Sequence, residues 1–254
     1  MLRESPFYEE CFRALQQSPL CRGLSRPVLE DMMKMFTRRV WGKGVRFSER
    51  QRTEYFHIVL RGRLELTRVN QETGRAITLW LVGPGDGYDI LTLLDGRRHE
   101  VLPTVLDEVE TLTAHMDVVR AWIGEHPEFN RCFLPYVADR MRHLEDLSTD
   151  LALHDTLTRL ARLILHYVDP KKGLPAVNSY PVRLISDFSH ESLACMVGSV
   201  RTVINRHLQQ LKKDGTVDFH RGHLAVMNLE KLASRAGQYL LEIPHHKKSA
   251  DCDD

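Results

Sequence analysis

The sequence predicts an α+β chain with three successive parts: a small roll of short strands, one long helix, and a helix-turn-helix with a hairpin behind it. Three observations carry this. The apolar period turns strand-like near Val40 and helical again after His115. Turn-forming Gly, Pro, Asn and Asp residues cut the strand region into short pieces. Two short helical patterns then meet at Gly198, with an alternating hairpin pattern close behind.

Before the strands, residues 5–36 read as short helices, with Leu20, Leu24, Val28, Leu29, Met32, Met33 and Phe36 at helical spacing. The run from Tyr55 to Leu60 reads as a strand, followed by Leu64 and Leu66, then Ile77 to Val82. Turns are expected at 42–44, 70–74 and 83–87, and further strands at 101–105 and 109–113. Many short strands punctuated by glycine suggest a small barrel or jelly roll.

After His115 the pattern is helical. Pro127 suits a first helical turn, and Pro135 is the next point of interruption. Leu134, Val137, Met141, Leu144, Leu147 and Leu151 then form an imperfect heptad seam. Such a seam serves either a helix packed on its own barrel or a dimer helix. A further helix is expected over Thr156 to Tyr167, then a polar loop at 169–175. The tail from His245 to Asp254 is polar and expected to be disordered.

The segment from Ser189 to Leu211 is the most informative. Ser189 suits an N-cap, with Glu191 in the first turn. Leu193 and Val197 give the first helix an apolar face, and Ala194 is small enough for close helix approach. Gly198 sits where the chain must reverse, and Ser199 can cap the second helix. Ile204, Leu208 and Leu211 then face inward, which leaves Arg201, Thr202, Asn205 and Arg206 on the opposite face. Arg can donate twice to guanine and Asn can pair with adenine, each such contact supplying roughly 1–3 kcal/mol of discrimination. The same spacing also suits an ordinary helical hairpin with a solvated face. The strands expected over 216–220 and 223–226, around Arg221-Gly222, form a wing. Lys212, Lys213 and Arg221 could meet phosphates there.

Charge is permissive. The net charge is only +1, but residues 155–254 carry 14 basic against 11 acidic side chains, while residues 1–154 carry 21 against 23. The five cysteines, Cys11, Cys21, Cys132, Cys195 and Cys252, contain no CxxC pair and do not read as a disulfide framework. The N-terminus lacks a signal-peptide core and no apolar run reaches spanning length, so a cytoplasmic setting without a membrane is expected.

The stretch SHESLACMVGSVRTVINRHLQQLKKDGTV resembles the winged helix of the cyclic-AMP-receptor/FNR (CRP/FNR) superfamily of transcription regulators. The stretch YFHIVLRGRLELTRVNQETGRAITLWLVGPGD is similar to that family's β-roll, and LALHDTLTRLARLIL resembles its hinge, with Asp155 at the start. The resemblance covers about residues 18–228. It implies a sensory β-roll domain with flanking helices at 1–126, a dimerisation helix at 127–154, a winged helix-turn-helix at 155–240 and a polar tail at 241–254. It also implies a homodimer, inverted DNA half-sites about one helical turn apart, and RNA polymerase as a further partner. Arg201, Thr202 and Arg206 occupy the family's base-reading positions; Thr202 stands where Glu is usual and Val200 where Ser is usual.

The pocket departs from the cyclic-nucleotide pattern. Asp89 and Ile90 replace the Gly-Glu pair that grips the ribose. Arg97 is followed by Arg98 and His99 instead of two small residues, and Leu144 and Glu145 replace the polar pair that meets the purine. Cyclic AMP is therefore not expected as the effector, although Arg97 or Arg98 could hold another anion. Cys11, Cys21 and Cys132 lack the spacing for an iron–sulfur cluster. A haem remains open, with His57, His99, His115, His126, His143 and His154 as candidate ligands, as does redox sensing by Cys132. Two other classes stand beside the regulator: a ligand-sensing interaction protein that has lost DNA binding, and a metal-dependent enzyme suggested by the 13 histidines. Against the enzyme, the chain has no HExxH, GxSxG, Walker loop or paired Cys/His zinc spacing.

Overall fold

The computed structural model describes residues 5–169, 179–220 and 223–237. The chain divides into two compact units, Met1–Leu147 and Ser148–Asp254. The division falls inside the long helix.

The first unit opens with helices α1 (Tyr8–Gln17) and α2 (Arg26–Met35), joined by a 3-10 turn at Pro19–Cys21. The elements that follow are β1 (Thr37–Trp41), α3 (Glu49–Thr53), β2 (Tyr55–Arg61), β3 (Leu64–Val69), β4 (Ala76–Val82) and β5 (Gly87–Tyr88). The unit continues with α4 (Ile90–Asp95), β6 (Leu102–Val105), β7 (Val109–His115) and α5 (Met116–Glu125). The strands form two sheets, one ordered β1-β7-β2-β5 and the other β4-β3-β6. All the pairings are antiparallel.

Strand β2 explains why its sequence reads as a continuous apolar run. Residues on one face of a strand repeat every second position. Phe56, Ile58 and Leu60 feed a core shared with α1, α2 and α5. Val59 enters a second core with Phe47, Leu64, Leu66, Val82, Tyr88, Val105 and Val109, and Trp41 and Trp80 pack against it. Both faces of β2 are covered, so the run shows no polar alternation. Its end is set by Gly62, at φ 79°. A Cβ there would lie 2.3 Å from the Glu108 carbonyl oxygen, so only glycine fits. Next to it, Arg63 makes a bidentate bond to Asp107 at 2.6 and 2.7 Å, which braces the turn before β7.

Helix α6 runs from Asn130 to Leu153 after a 3-10 turn at Pro127–Phe129. Pro135 lies inside it and does not end it. As the sixth residue of the helix it has no N–H to offer the Arg131 carbonyl four residues earlier, yet the helix continues past it. Cys132, Phe133 and Tyr136 are buried in the first core. Leu134 and Met141 are both 61% exposed, so the predicted seam is not consumed within the unit.

In the second unit, α7 (Thr156–Tyr167) is capped by Asp155, whose carboxylate accepts from the Thr158 amide at 2.8 Å. Helices α8 (His190–Val197) and α9 (Arg201–Lys213) follow. Strands β8 (Tyr180–Pro181), β9 (Val217–His220) and β10 (His223–Val226) form a sheet ordered β8-β10-β9. Helix α10 (Leu229–Arg235) closes the unit, its N-cap Asn228 accepting from the Lys231 amide. Strand β8 and helix α10 are additions to the sequence reading, although Asn228 followed by Glu230 is an N-terminal helix signal. Leu160, Ile164, Leu193, Ile204, Leu208, Leu211, Val226 and Leu232 are buried in its core. The predicted loop at 169–175, apart from Asp169, and the polar tail lie outside the described residues.

Candidate nucleic-acid interface and effector site

The helix-turn-helix is built by local rules. Ser189 accepts from the Ser192 amide at 3.1 Å and starts α8, with Glu191 in the first turn. The helix stops at Gly198, which is left-handed at φ 63° and ψ 44°. The Ser199 amide closes the turn on the Ala194 carbonyl at 2.9 Å. Ala194 is buried. One expectation is corrected here. Ser199 does not cap α9; Val200 occupies the N-cap in extended conformation and offers no side-chain bond. The turn uses Ser199 to leave Gly198, so the helix begins one residue later. That leaves the first amides of α9 without a side-chain partner at this cap.

Helix α9 divides cleanly. Ile204, Leu208 and Leu211 are fully buried. Arg201, Thr202, Asn205 and Arg206 are all exposed. Of the candidate phosphate contacts, Lys213 is exposed and Lys212 reaches Asp218 of β9 at 2.8 Å. Arg221 lies outside the described residues.

In the first unit the candidate effector residues do not share one lining. Asp89 is buried; its carboxylate accepts from Thr92 Oγ1 at 2.6 Å and meets His99 Nδ1 at 3.0 Å. Ile90 packs against the helical core. Arg97 is 88% exposed at its side chain and 3.9 Å from Asp95. Arg98 pairs with Glu49 at 2.8 Å on the surface. On α6, Leu144 is half-buried and Glu145 is exposed. Asp89 and His99 form one buried pair, while the two arginines point to solvent with carboxylates of their own.

The sequence reading missed two polar clusters. The first surrounds His57, which is wholly buried among Trp41, Phe47 and Tyr88. Its Nε2 lies 3.0 Å from the Gln51 carbonyl, which can only accept, so Nε2 carries the proton. Nδ1, 3.0 Å from Thr113 Oγ1, then accepts from that hydroxyl. Thr113 in turn takes the Thr111 hydroxyl at 3.0 Å, and Thr111 takes the Trp41 indole N–H at 3.2 Å. Every bond in this chain has one allowed direction. Burial lowers the His57 pKa from 6.5 to about 4.

The second cluster joins α6 to the turn between β4 and β5. Asp86 accepts from the Gly83 amide at 3.0 Å, from the Tyr136 hydroxyl at 3.2 Å and from Arg140. The Gly87 amide donates to the Tyr136 oxygen at 3.2 Å. The Arg140 guanidinium lies over the Tyr136 ring at 4.8 Å. Burial raises the Asp86 pKa, and the Arg140 charge opposes that rise. A Gly-Asp-Gly turn followed fifty residues later by a Tyr-x-x-x-Arg pair carries no spacing signal, which is why sequence reading passed over it.

The six histidines weighed as haem ligands differ in how far their ring nitrogens are engaged. His57 is bonded at both ring nitrogens. His99 is held by Asp89, and His126 by the Trp122 carbonyl and Asp31. His115 takes part in the N-cap of α5, and His154 lies 4.0 Å from Asp150. His143 stacks on Trp80 with ring centroids 6.4 Å apart. Cys11, Cys21 and Cys132 are buried in the helical core, and burial raises each thiol pKa. Thiolate chemistry is thereby disfavoured at all three. Among the described residues, no three His, Cys, Asp or Glu side chains are grouped to hold a metal ion, and no helix is long and apolar enough to cross a membrane.

A profile of the Crp-like helix-turn-helix domain matches residues 158–235. The CRP-like cAMP-activated global transcriptional regulator of Mycobacterium tuberculosis is 25% identical over 190 residues, spanning 75% of this chain and 83% of the relative. The global nitrogen regulator of Synechocystis is 27% identical over 177 residues, spanning 69% and 77%. Among solved structures, a CooA mutant from Carboxydothermus hydrogenoformans superposes with a TM-score of 0.69 at 17% identity, covering 93% of this chain and 98% of that one. That last likeness is one of fold.

Proposed function

We propose, from the premise that this chain belongs to the CRP/FNR family of DNA-binding transcription regulators and not to a family of enzymes, that it acts as a homodimer reading an inverted repeat. The observation that carries the reading is the division of α9. Three apolar residues anchor it in the core while Arg201, Thr202, Asn205 and Arg206 stand together in solvent. Exposed Arg and Asn side chains on the N-terminal half of such a helix suit base edges in the major groove. Ser199, Lys212, Lys213 and Arg221 serve the phosphates around it. Leu134, Met141 and Leu151 on the open side of α6 supply the face on which a second copy pairs. RNA polymerase is the further partner that a transcription regulator of this kind engages.

The effector is a small molecule other than cyclic AMP, and it acts through the first unit. The relative from Mycobacterium is cAMP-activated, but here a buried carboxylate, Asp89, stands in the place of the expected neutral glycine. An anionic phosphate beside that carboxylate would be repelled, and Ile90 offers a ribose no acceptor. The decisive test is selection from random duplexes with the full chain, with and without cyclic AMP. Enrichment of a palindrome whose occupancy cyclic AMP leaves unchanged supports the reading. No enriched palindrome would overturn it, and a cyclic-AMP requirement would overturn the effector part.

A further inference from the structure

We infer that Asp150 and Arg162 are positioning residues that fix the joint between α6 and the winged-helix unit, and thereby set the half-site spacing the protein reads. The inference rests on the homodimer reading above. The joint is short. The His154 amide still bonds to the Asp150 carbonyl at 3.2 Å, which closes the last turn of α6. Asp155 is extended, at φ −68° and ψ 166°, and already caps α7. The break between the two helices is therefore confined to His154 and Asp155, and rotation about the Asp155 N–Cα bond costs no helical hydrogen bond.

An ion pair crosses that joint. Arg162, on the second turn of α7, places Nε 2.6 Å from Asp150 Oδ1. It is a charge contact and not an aligned hydrogen bond. Side-chain exposure is 17% for Asp150 and 20% for Arg162, so solvent screens the pair less than it screens a surface pair. The same guanidinium donates to the Ala236 carbonyl at 3.4 Å, at the C-cap of α10. His154 Nε2 adds a second nitrogen 4.0 Å from the same Asp150 oxygen. Arg162 thus ties the end of α6, its own helix and the end of α10. Nothing in the unit's apolar core needs this contact, since Leu160, Ala161 and Ile164 already seat α7. Its effect is on direction, and direction matters only when two recognition helices must meet one duplex together.

The test compares the full-length wild type with Asp150→Asn, Arg162→Lys and the reversed pair Asp150→Arg/Arg162→Asp. Each is measured on the selected palindrome, on a single half-site duplex, and on palindromes with one base pair added or removed between half-sites. Thermal unfolding is followed in parallel. Asp150→Asn should lose about tenfold in affinity for the palindrome and flatten the spacer preference, with half-site affinity and melting temperature nearly unchanged. Arg162→Lys keeps the charge and the fold but lacks the reach to Ala236, and should show the intermediate effect; the reversed pair should recover part of the preference. Equal losses on palindrome and half-site together with a lowered melting temperature would assign the pair a structural role and overturn the inference. An unchanged spacer preference in Asp150→Asn would overturn it as well. A wild type that does not prefer the palindrome over the half-site overturns the dimer reading and this inference with it.

Discussion

The two units spend their polar side chains in opposite ways. In the winged-helix unit the informative polar groups lie outside, on one face of a helix whose other face is Ile204, Leu208 and Leu211. In the first unit they lie inside and answer each other: Asp86 with Tyr136 and Arg140, Asp89 with His99 and Thr92, His57 with Thr113 and Gln51. An outward polar face is available to a partner. An inward, mutually satisfied pair stabilises one geometry and offers little to a ligand until that geometry changes. If α9 is the reading surface proposed above, that surface already stands exposed, while the polar groups of the first unit are held by one another.

The largest effect should come from breaking the one of these pairs that sets a guanidinium against a carboxylate. Arg140→Met leaves Asp86 as an unpaired carboxylate and should destabilise the first unit by about 3–5 kcal/mol in urea unfolding near neutral pH. Folding raises the Asp86 pKa above its usual 3.8, so the folded state accepts that proton more readily than the unfolded chain. The penalty therefore appears as pH rises through this window and shrinks as pH falls into it. Tyr136→Phe removes one donor to Asp86 and should cost less, about 1 kcal/mol. Equal losses for Arg140→Met at acid and neutral pH would place the effect on packing and not on the charge.

His57 sharpens the same comparison through the opposite sign. Its pKa falls from 6.5 to about 4, so below 6.5 the unfolded chain binds a proton that the folded chain refuses. Stability is whole above 6.5 and is lost as pH drops from there toward about 4, by on the order of 3 kcal/mol. His57→Gln should lower stability at neutral pH yet remove this slope, since no titrating ring remains. Denaturant midpoints of wild type and variant across that window decide it. A slope that survives in His57→Gln would assign the acid sensitivity to other groups.

The same division explains what could be read from the amino acids. Ser189, Gly198 and the 204/208/211 spacing act through local rules, so the helix-turn-helix was legible residue by residue. Strands β2, β3, β4 and β7 were legible because each combines an apolar run with a glycine or polar turn at its end. The Ser199 cap failed because two residues competed for one turn, and the chain needed both Ser199 and Val200 to leave Gly198. The effector candidates depend on more distant structure. Asp89 and Ile90 were found by their place after a turn, but whether a side chain faces the roll or the helical core depends on strand pairing far away in sequence. Ile90 turned to the helical core, and Arg97 and Arg98 went to solvent. Asp86, Tyr136 and Arg140 meet only because α6 returns across the roll, and nothing local announces that meeting.

The smallest effect tests the outer face and separates its two kinds of cation. Arg206 is exposed on α9, whereas Lys212 is already engaged with Asp218 at 2.8 Å. Arg206→Ala should lose roughly 1–3 kcal/mol at one base position of the palindrome, leaving the others unchanged. Lys212→Ala should weaken all sequences alike and reduce the salt slope by less than about one unit, because its charge is partly neutralised by the carboxylate beside it. Asp218→Ala releases that lysine and should raise affinity for every duplex slightly, with no change in preference. Binding of these variants to a matrix of single-base substitutions at two salt concentrations distinguishes the cases. A base-specific loss in Lys212→Ala would move Lys212 from positioning to reading, and a uniform loss in Arg206→Ala would move Arg206 the other way.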